Sequence, residues 1–580
     1  MEKRRDGNAG LAALLAAAGW SGQDLARAVN AVGAEAGLAL SYGRASVAQW
    51  RAGIRPRRPV PELVAEALSR RLGRVVDPAE IGLAGPPAAG PGRARPPAGV
   101  IRPRVDAVRW WEGEAVPLLA ELADAAGPRR GELLRDCVFN LAALKVPGWD
   151  AATRPTGPGP GSGPAAAPVP AGRAGAGGRP LRVGEAEVEA ASTMLRVFSE
   201  ADTAFGAGQV RLALADHLGR TMTPWLRAAE GAVRRDLLSV AAKQAYLCGF
   251  MCFDDELHGM AQRYYRSSLS LAAEAGALPD YAVTLRAMSV QARVLGHDQA
   301  AYGLADSAAG VDLRGVAAPT RAFLLGQLAV TCAATGARGR ALRHLSAAER
   351  ELDRATGGPG VVGAYHPAAL AHQQAAVRSL LGDRDGAIGA LEQSIARRPA
   401  GERRSRTITL ARLAELQLRR GHLERAAATW HLFLDEYPAV RSGRARTAFA
   451  SMYAGLRSFR ANQAARELLE RADAMRYPIP ARLPSHATQT TTPTTPPTAP
   501  TTATAPATAA APTTAVEGVT KLGAVDGGGV AAVSSRDGRV LAPGCVVCGR
   551  PLERAGTGRP RRYCGQACRQ RAYRARTASG

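Results

Sequence analysis

Between residues 183 and 480, small and apolar side chains return at three- and four-residue intervals and almost nowhere alternate in the two-residue rhythm of a strand. This predicts a long array of amphipathic helices. A larger period lies on top of it. Glycine is followed five positions later by alanine at Gly296/Ala301, Gly336/Ala341, Gly382/Ala387 and Gly421/Ala426, so the motif recurs every 39 to 46 residues. Such a period predicts stacked helical hairpins, in which glycine takes the left-handed conformation that ends one helix and alanine lets the next approach closely. Twelve positions before each alanine stand Ser289, Ala329, Ala375 and Ala414. Four and seven positions after it come Ala305 and Ala308, Leu345 and Ala348, Leu391 and Ser394, and Trp430 and Phe433. Pro399 and Pro438 each close a unit. An earlier unit (Gly249, Ala261, Tyr265) lacks the turn glycine, and a later one (Tyr453, Ala465, Leu469, Ala472) is more degraded.

In these small-residue and proline positions the array resembles tetratricopeptide repeats, with units longer than the usual ~34 residues. A helical bundle without the repeat register is the competing reading.

Residues 1–84 form a second helical block. Ser21 and Asp24 make a capping signature that opens a helix with Leu25, Ala28, Val29 and Val32 on one face, after a first helix carrying Leu11, Leu14 and Leu15. A Gly- and Ala-rich connector spans about 31 to 43. In the helix that follows, Val47 and Trp50 are three apart and predicted to be buried together. That leaves Arg44, Ser46, Gln49 and Arg51 outward, with the donors and acceptors that read base edges. Arg55, Arg57 and Arg58 suit phosphate contacts. Pro61 starts a further helix with Leu63, Val64, Ala67, Leu68 and Leu72 inward. The layout resembles a repressor-type helix-turn-helix whose turn is extended. A basic helical domain with no DNA role is the alternative.

Glycine and proline, 64 and 39 residues, gather in linkers rather than in a three-residue period. They mark 85–100 and a flexible spacer at 151–182, where Pro158 and Pro160 alternate with glycines and no phosphate loop is expected. Between them, 101–150 returns to helical periodicity, with Trp110, Trp111, Val116, Leu118, Leu119 and Leu122 apolar. Residues 481–540, rich in Thr, Pro and Ala, are expected to be disordered, because they bury too little to offset ordering entropy. The domain reading is therefore 1–84, the segment 101–150, a solenoid over 183–480, and a small module at 541–580.

Charge changes the picture in two places. Lys and Arg number 75 against 50 Asp and Glu, a formal net charge of +25, which favours polyanionic partners. Lysines occur only at Lys3, Lys145, Lys243 and Lys521, so GC-rich codon usage is the competing reading of the arginine content, and location must decide. It clusters at the C-terminus, where Arg569, Arg571, Arg574 and Arg576 follow the spacing Cys545-x2-Cys548-x15-Cys564-x3-Cys568, with Tyr563 and Tyr573 interleaved. Four thiolates in two close pairs predict a closed, structural zinc site that leaves no open position for catalysis. The basic stretch after Cys568 is expected to lie along phosphates.

Taken together, Gly19-Trp20-Ser21, Gln49-Trp50-Arg51, Arg55-Pro56-Arg57, Ile81-Gly82-Leu83 and the repeat array resemble one family. It is the actinomycete regulators that join a degenerate helix-turn-helix to tetratricopeptide-like repeats and negatively regulate sporulation and antibiotic production. The resemblance implies a cytoplasmic DNA-binding transcriptional regulator whose solenoid takes a protein or peptide partner, with dimerisation plausible through the repeats. A tetratricopeptide scaffold with merely basic ends is the runner-up. No enzyme is expected, since no nucleophile is paired with a base. Asp254-Asp255-Glu256 with His258, Cys248 and Cys252 admits a metal or catalytic reading, but is expected to be a solvated turn beside core cysteines. No run approaches a membrane span of ~18 apolar residues, and no signal peptide is expected.

Overall fold

The computed structural model describes residues 7–83, 115–124, 138–147, 149, 182–312, 314–354 and 365–475. Among these residues every regular element is helical, as the periodicity predicted, and successive helix pairs stack as a solenoid. The linker at 85–100, most of that at 151–182, the stretch 481–540 and the module at 541–580 lie outside the described residues.

Four helices make the N-terminal block: α1 (Ala9–Ala18), α2 (Gly22–Glu35), α3 (Arg44–Arg51) and α4 (Val60–Leu72). The capping box forms as the sequence suggested. Ser21 Oγ accepts from the Asp24 N–H at 3.3 Å, and the Asp24 carboxylate accepts from the Ser21 N–H at 2.9 Å. A cap of this kind is worth about 1 kcal/mol. Leu25, Val29 and Val32 of α2, Val47 and Trp50 of α3, and Leu63, Val64 and Leu68 of α4 meet in one core.

One expectation changes here. Helix α2 runs on to Glu35, so the connector is shorter than the predicted 31 to 43, and it is tied down. The Asn30 carboxamide donates to the Tyr42 carbonyl and accepts from the Tyr42 N–H, both at 2.9 Å. Tyr42 then meets Trp50 edge-on, with centroids 5.1 Å apart. The extended turn is thus held against the same tryptophan that anchors α3.

Helix α5 (Ala115–Asp124) and the segment 138–147 pack against the start of the array. Leu119, Leu122, Phe139 and Leu144 share a core with α6 (Glu185–Phe205), α7 (Ala207–His217) and α8 (Thr223–Ala228). Tyr264 and Tyr281 fasten the two stretches, donating to the carbonyls of Leu122 at 3.1 Å and Pro147 at 2.7 Å.

Six hairpins follow: α9 (Gly231–Asp254) with α10 (His258–Ala275), α11 (Leu278–Val294) with α12 (Asp298–Ala309), and α13 (Ala318–Ala334) with α14 (Arg338–Asp353). Then come α15 (Pro367–Leu380) with α16 (Arg384–Ala396), α17 (Arg403–Arg419) with α18 (Leu423–Glu436), and α19 (Gly443–Leu456) with α20 (Gln463–Ala474). The repeat register is the predicted one. Gly296, Gly336, Gly382 and Gly421 all have φ between 79° and 88°. Ala301, Ala341, Ala387 and Ala426 are fully buried at the helix crossings. In the first hairpin the glycine's place is held by Glu256, with φ 63°. Gly326 serves a different need, because a side chain there would collide with the Gln373 carboxamide and the Tyr365 hydroxyl of the next unit.

The array closes on itself. Helix α6 packs against α17, and the N-terminus of α19 abuts the C-terminus of α9, where a Cβ on Gly443 would fall 2.6 Å from the Asp255 carbonyl carbon. The backbone joins too: the Gly208 N–H donates to the Arg441 carbonyl at 3.0 Å, and the Arg441 N–H to the Phe205 carbonyl at 2.6 Å. A clasp of buried charge completes it. Arg404 pairs with Asp202 at 3.1 Å and lies 3.7 Å from Asp254, while Arg444 donates to Asp254 through two nitrogens.

Candidate nucleic-acid interface

Helix α3 is fixed by its inner face. Val47 is 0 % and Trp50 3 % exposed, so the rotation of the helix about its axis is set by two buried side chains. The opposite face then has no freedom to turn inward. Arg44, Gln49 and Arg51 are exposed and Ser46 is half-buried. The helix is held at its N-terminal end by the Arg44 N–H, which donates to Gln23 Oε1 at 3.3 Å. Arg55, Arg57 and Arg58 are exposed immediately beyond it. From residue 36 to 61 the chain carries these five arginines and no acidic residue; the first carboxylate after them, Glu62, takes Arg58 at 3.3 Å. Four of the five guanidinium groups are thus left to solvent without an ion pair among the described residues.

The far side of the block is occupied. Glu66 of α4, 3 % exposed, accepts from Arg70 Nε at 2.7 Å and faces His297 Nε2 at 3.0 Å. Arg70 also donates to both oxygens of Glu35, at 2.8 and 2.7 Å. Burial opposes the charge on Arg70, and the two carboxylates outweigh it, so its pKa is raised. Phe139 stacks on His297 with centroids 5.6 Å apart. The block therefore docks on the repeat array through α4 and leaves α3 uncovered. Sequence reasoning missed Glu66 and His297. Four residues before Arg70, Glu66 reads as an ordinary surface ion pair, and His297 as a turn residue after Gly296.

The acidic cluster in the first hairpin is not a solvated turn, and its carboxylates already have partners. Asp254 is fully buried against Arg444 and Arg404, and Asp255 pairs with Arg211 at 3.0 Å. Burial disfavours the Asp254 carboxylate, but the two arginines overcompensate and hold its pKa below the usual range. Asp202, equally buried and with less compensation, is pushed up to about 6. Cys248 and Cys252 are core residues, as expected. Among the described residues no group of three or more His, Cys, Asp or Glu is arranged to hold a metal ion. Cys545, Cys548, Cys564 and Cys568, and with them Arg569, Arg571, Arg574 and Arg576, lie outside the described residues.

No helix among the described residues is long and apolar enough to cross a membrane. Residues 11–84 match the family model of the SP15 N-terminal domain. The chain matches no curated protein.

Proposed function

We propose that this protein is a DNA-binding transcriptional regulator. In it the N-terminal block contacts the duplex through α3, and the closed repeat array receives a protein or peptide signal. The observation that carries the reading is the orientation of α3: Val47 and Trp50 hold its inner face, and Arg44, Gln49 and Arg51 stand outward beside three more exposed arginines. Arg and Gln are the side chains that make bidentate contacts to guanine and adenine edges, while Arg55, Arg57 and Arg58 supply the sequence-independent phosphate contacts that set register. The family match over 11–84 coincides with this block. The four C-terminal cysteines would hold a structural zinc, and the arginines after Cys568 would add salt-sensitive, sequence-independent affinity. The reading assigns binding, and no catalytic step.

The test is fluorescence anisotropy of the full chain on operator fragments selected from a genomic library, beside random duplexes. Gln49→Ala with Arg51→Ala should remove about 1 to 3 kcal/mol of discrimination per lost base contact while leaving the melting temperature unchanged. A folded double variant with full discrimination would exclude α3 as the reader, and a wild-type chain with no preference for any fragment would favour the scaffold reading.

A further inference from the structure

The stretch from Val138 to Trp149 belongs to no repeat, yet it lies on the array as a bound peptide lies in a groove. The hydrogen bonds that seat it run to its main chain. The Gln262 carboxamide of α10 accepts from the Asn140 N–H at 3.0 Å and donates to the Asn140 carbonyl at 2.8 Å, and the Tyr281 hydroxyl of α11 donates to the Pro147 carbonyl at 2.7 Å. Contacts of this kind give affinity for an extended chain and leave specificity to pockets for its side chains. Gln262 is only 3 % exposed. A carboxamide so buried is costly to leave unpaired, so the groove calls for a peptide main chain as its occupant.

Three side chains of the stretch fill the pockets. Phe139 stacks on His297 with centroids 5.6 Å apart, Leu144 is buried in the same core, and Trp149 meets Tyr281 edge-on at 5.3 Å. Asn140 and Lys145, between them, are exposed. Asn140 Oδ1 accepts from the Ala142 N–H at 2.8 Å and so opens the single helical turn Leu141–Leu144. The pattern held is an aromatic residue, a leucine five positions later and a second aromatic ten positions after the first. The same stretch also reaches the N-terminal block. Val138 packs against that block's core, and His297, stacked on Phe139, faces Glu66 of α4 at 3.0 Å. Whatever occupies the groove forms part of the seat on which the block docks.

We propose that this groove, lined by Gln262, Tyr281 and His297, is where the array takes its protein partner, and that Val138 to Trp149 is a tethered stand-in which the partner displaces. The partner is a linear protein segment with the same pattern: two aromatic residues ten apart, with a leucine midway and a helical turn before it. Displacement takes Val138 and Phe139 from between the block and the array, so the exchange is felt at the block that carries α3. The groove gives chemical content to the signal-receiving role proposed above, on which it rests. Its assay contains no DNA, so loss of one reading is distinguishable from loss of the other.

The experiment is fluorescence anisotropy of a labelled synthetic peptide with the sequence of residues 138–149, titrated with the full chain. A tethered competitor meets its groove at an effective concentration on the order of millimolar, so the wild-type chain should bind the free peptide weakly. Phe139→Ala with Leu144→Ala in the chain weakens that competitor and should tighten peptide binding at least tenfold. Gln262→Ala, added to this variant, should lose at least tenfold again, and so should the peptide carrying Phe139→Ala and Trp149→Ala. Trp149→Ala alone in the chain, at a half-buried position, is a milder opening and should tighten binding by a smaller factor. Circular dichroism checks that each variant keeps its helices. The proposal falls if the folded, opened chains bind the peptide no more tightly than wild type, if Gln262→Ala leaves binding unchanged, or if a scrambled peptide binds equally well. It falls too if both openings unfold the chain, which would make the stretch a fixed part of the core.

Discussion

The four regular hairpins and the one that opens the array share an alanine at the helix crossing, yet they differ at the turn. Gly296, Gly336, Gly382 and Gly421 adopt positive φ at no steric penalty; the last three turns pair only with their own and neighbouring units, whereas His297, beside Gly296, reaches Glu66 of the N-terminal block. Glu256 adopts the same conformation at a cost of about 1 to 2 kcal/mol, beside two buried aspartates. Its carboxylate accepts from Thr447, and Asp254 and Asp255 meet α19 and α7. The irregular turn is therefore where the chain stops serving the repeat and begins serving closure. A departure from a repeat pattern can mark a contact with a distant element rather than decay of the pattern.

The sharpest way to break this comparison is to remove the clasp. Asp254→Ala leaves Arg444 and Arg404 without their shared carboxylate in a buried setting, and a loss of about 3 to 5 kcal/mol is expected. Urea unfolding monitored by circular dichroism measures it. The corresponding change at a regular turn, Asp383→Ala, removes the cap that accepts from the Gly386 N–H at 2.9 Å and an exposed ion pair with Arg378 at 3.0 Å, and should cost about 1 kcal/mol. Equal losses at the two sites would contradict a special role for the first turn.

A somewhat smaller effect tests the shared part of the design. Ala387 is fully buried against α15, so Ala387→Leu should overpack the crossing by about 1 to 3 kcal/mol. Arg384→Ala, three positions earlier on an exposed turn, should stay within about 0.5 kcal/mol. Differential scanning calorimetry on the two variants gives the answer, and matching melting temperatures would refute the register.

The smallest expected effect concerns the backbone alone. Gly382→Ala forces a Cβ into φ 88° and should destabilise by about 1 to 2 kcal/mol. Glu256→Gly relieves the same strain but loses the bond from Thr447, so its net change should fall below about 1 kcal/mol. A larger loss at Glu256 than at Gly382 would show that the side chain matters more than the turn.

What the sequence disclosed and what it hid divide along the same line. Turn glycines, crossing alanines and the capping box at Ser21 act within a few residues of one another, so their spacing survives in the linear string. The face of α3 was legible for that reason as well: Val47 and Trp50 consume one side, and the arginines must take the other. Asp254 meets Arg444 across 190 residues, and Glu66 meets His297 across 231. No periodicity connects such partners. A buried carboxylate looks the same in the sequence as a solvated one, which is why the acidic turn was read as exposed.

Closure has an arithmetic consequence. An open solenoid can gain or lose a hairpin anywhere along its length, since each unit answers only to its neighbours. Here the first and last units must arrive at the same place with Arg404, Arg441 and Arg444 opposite Asp202, Phe205 and Asp254. Insertion of one hairpin would carry α19 past its partners, and deletion would leave it short. The number of repeats is thereby fixed by geometry, and divergence within the array has to proceed by substitution at constant count.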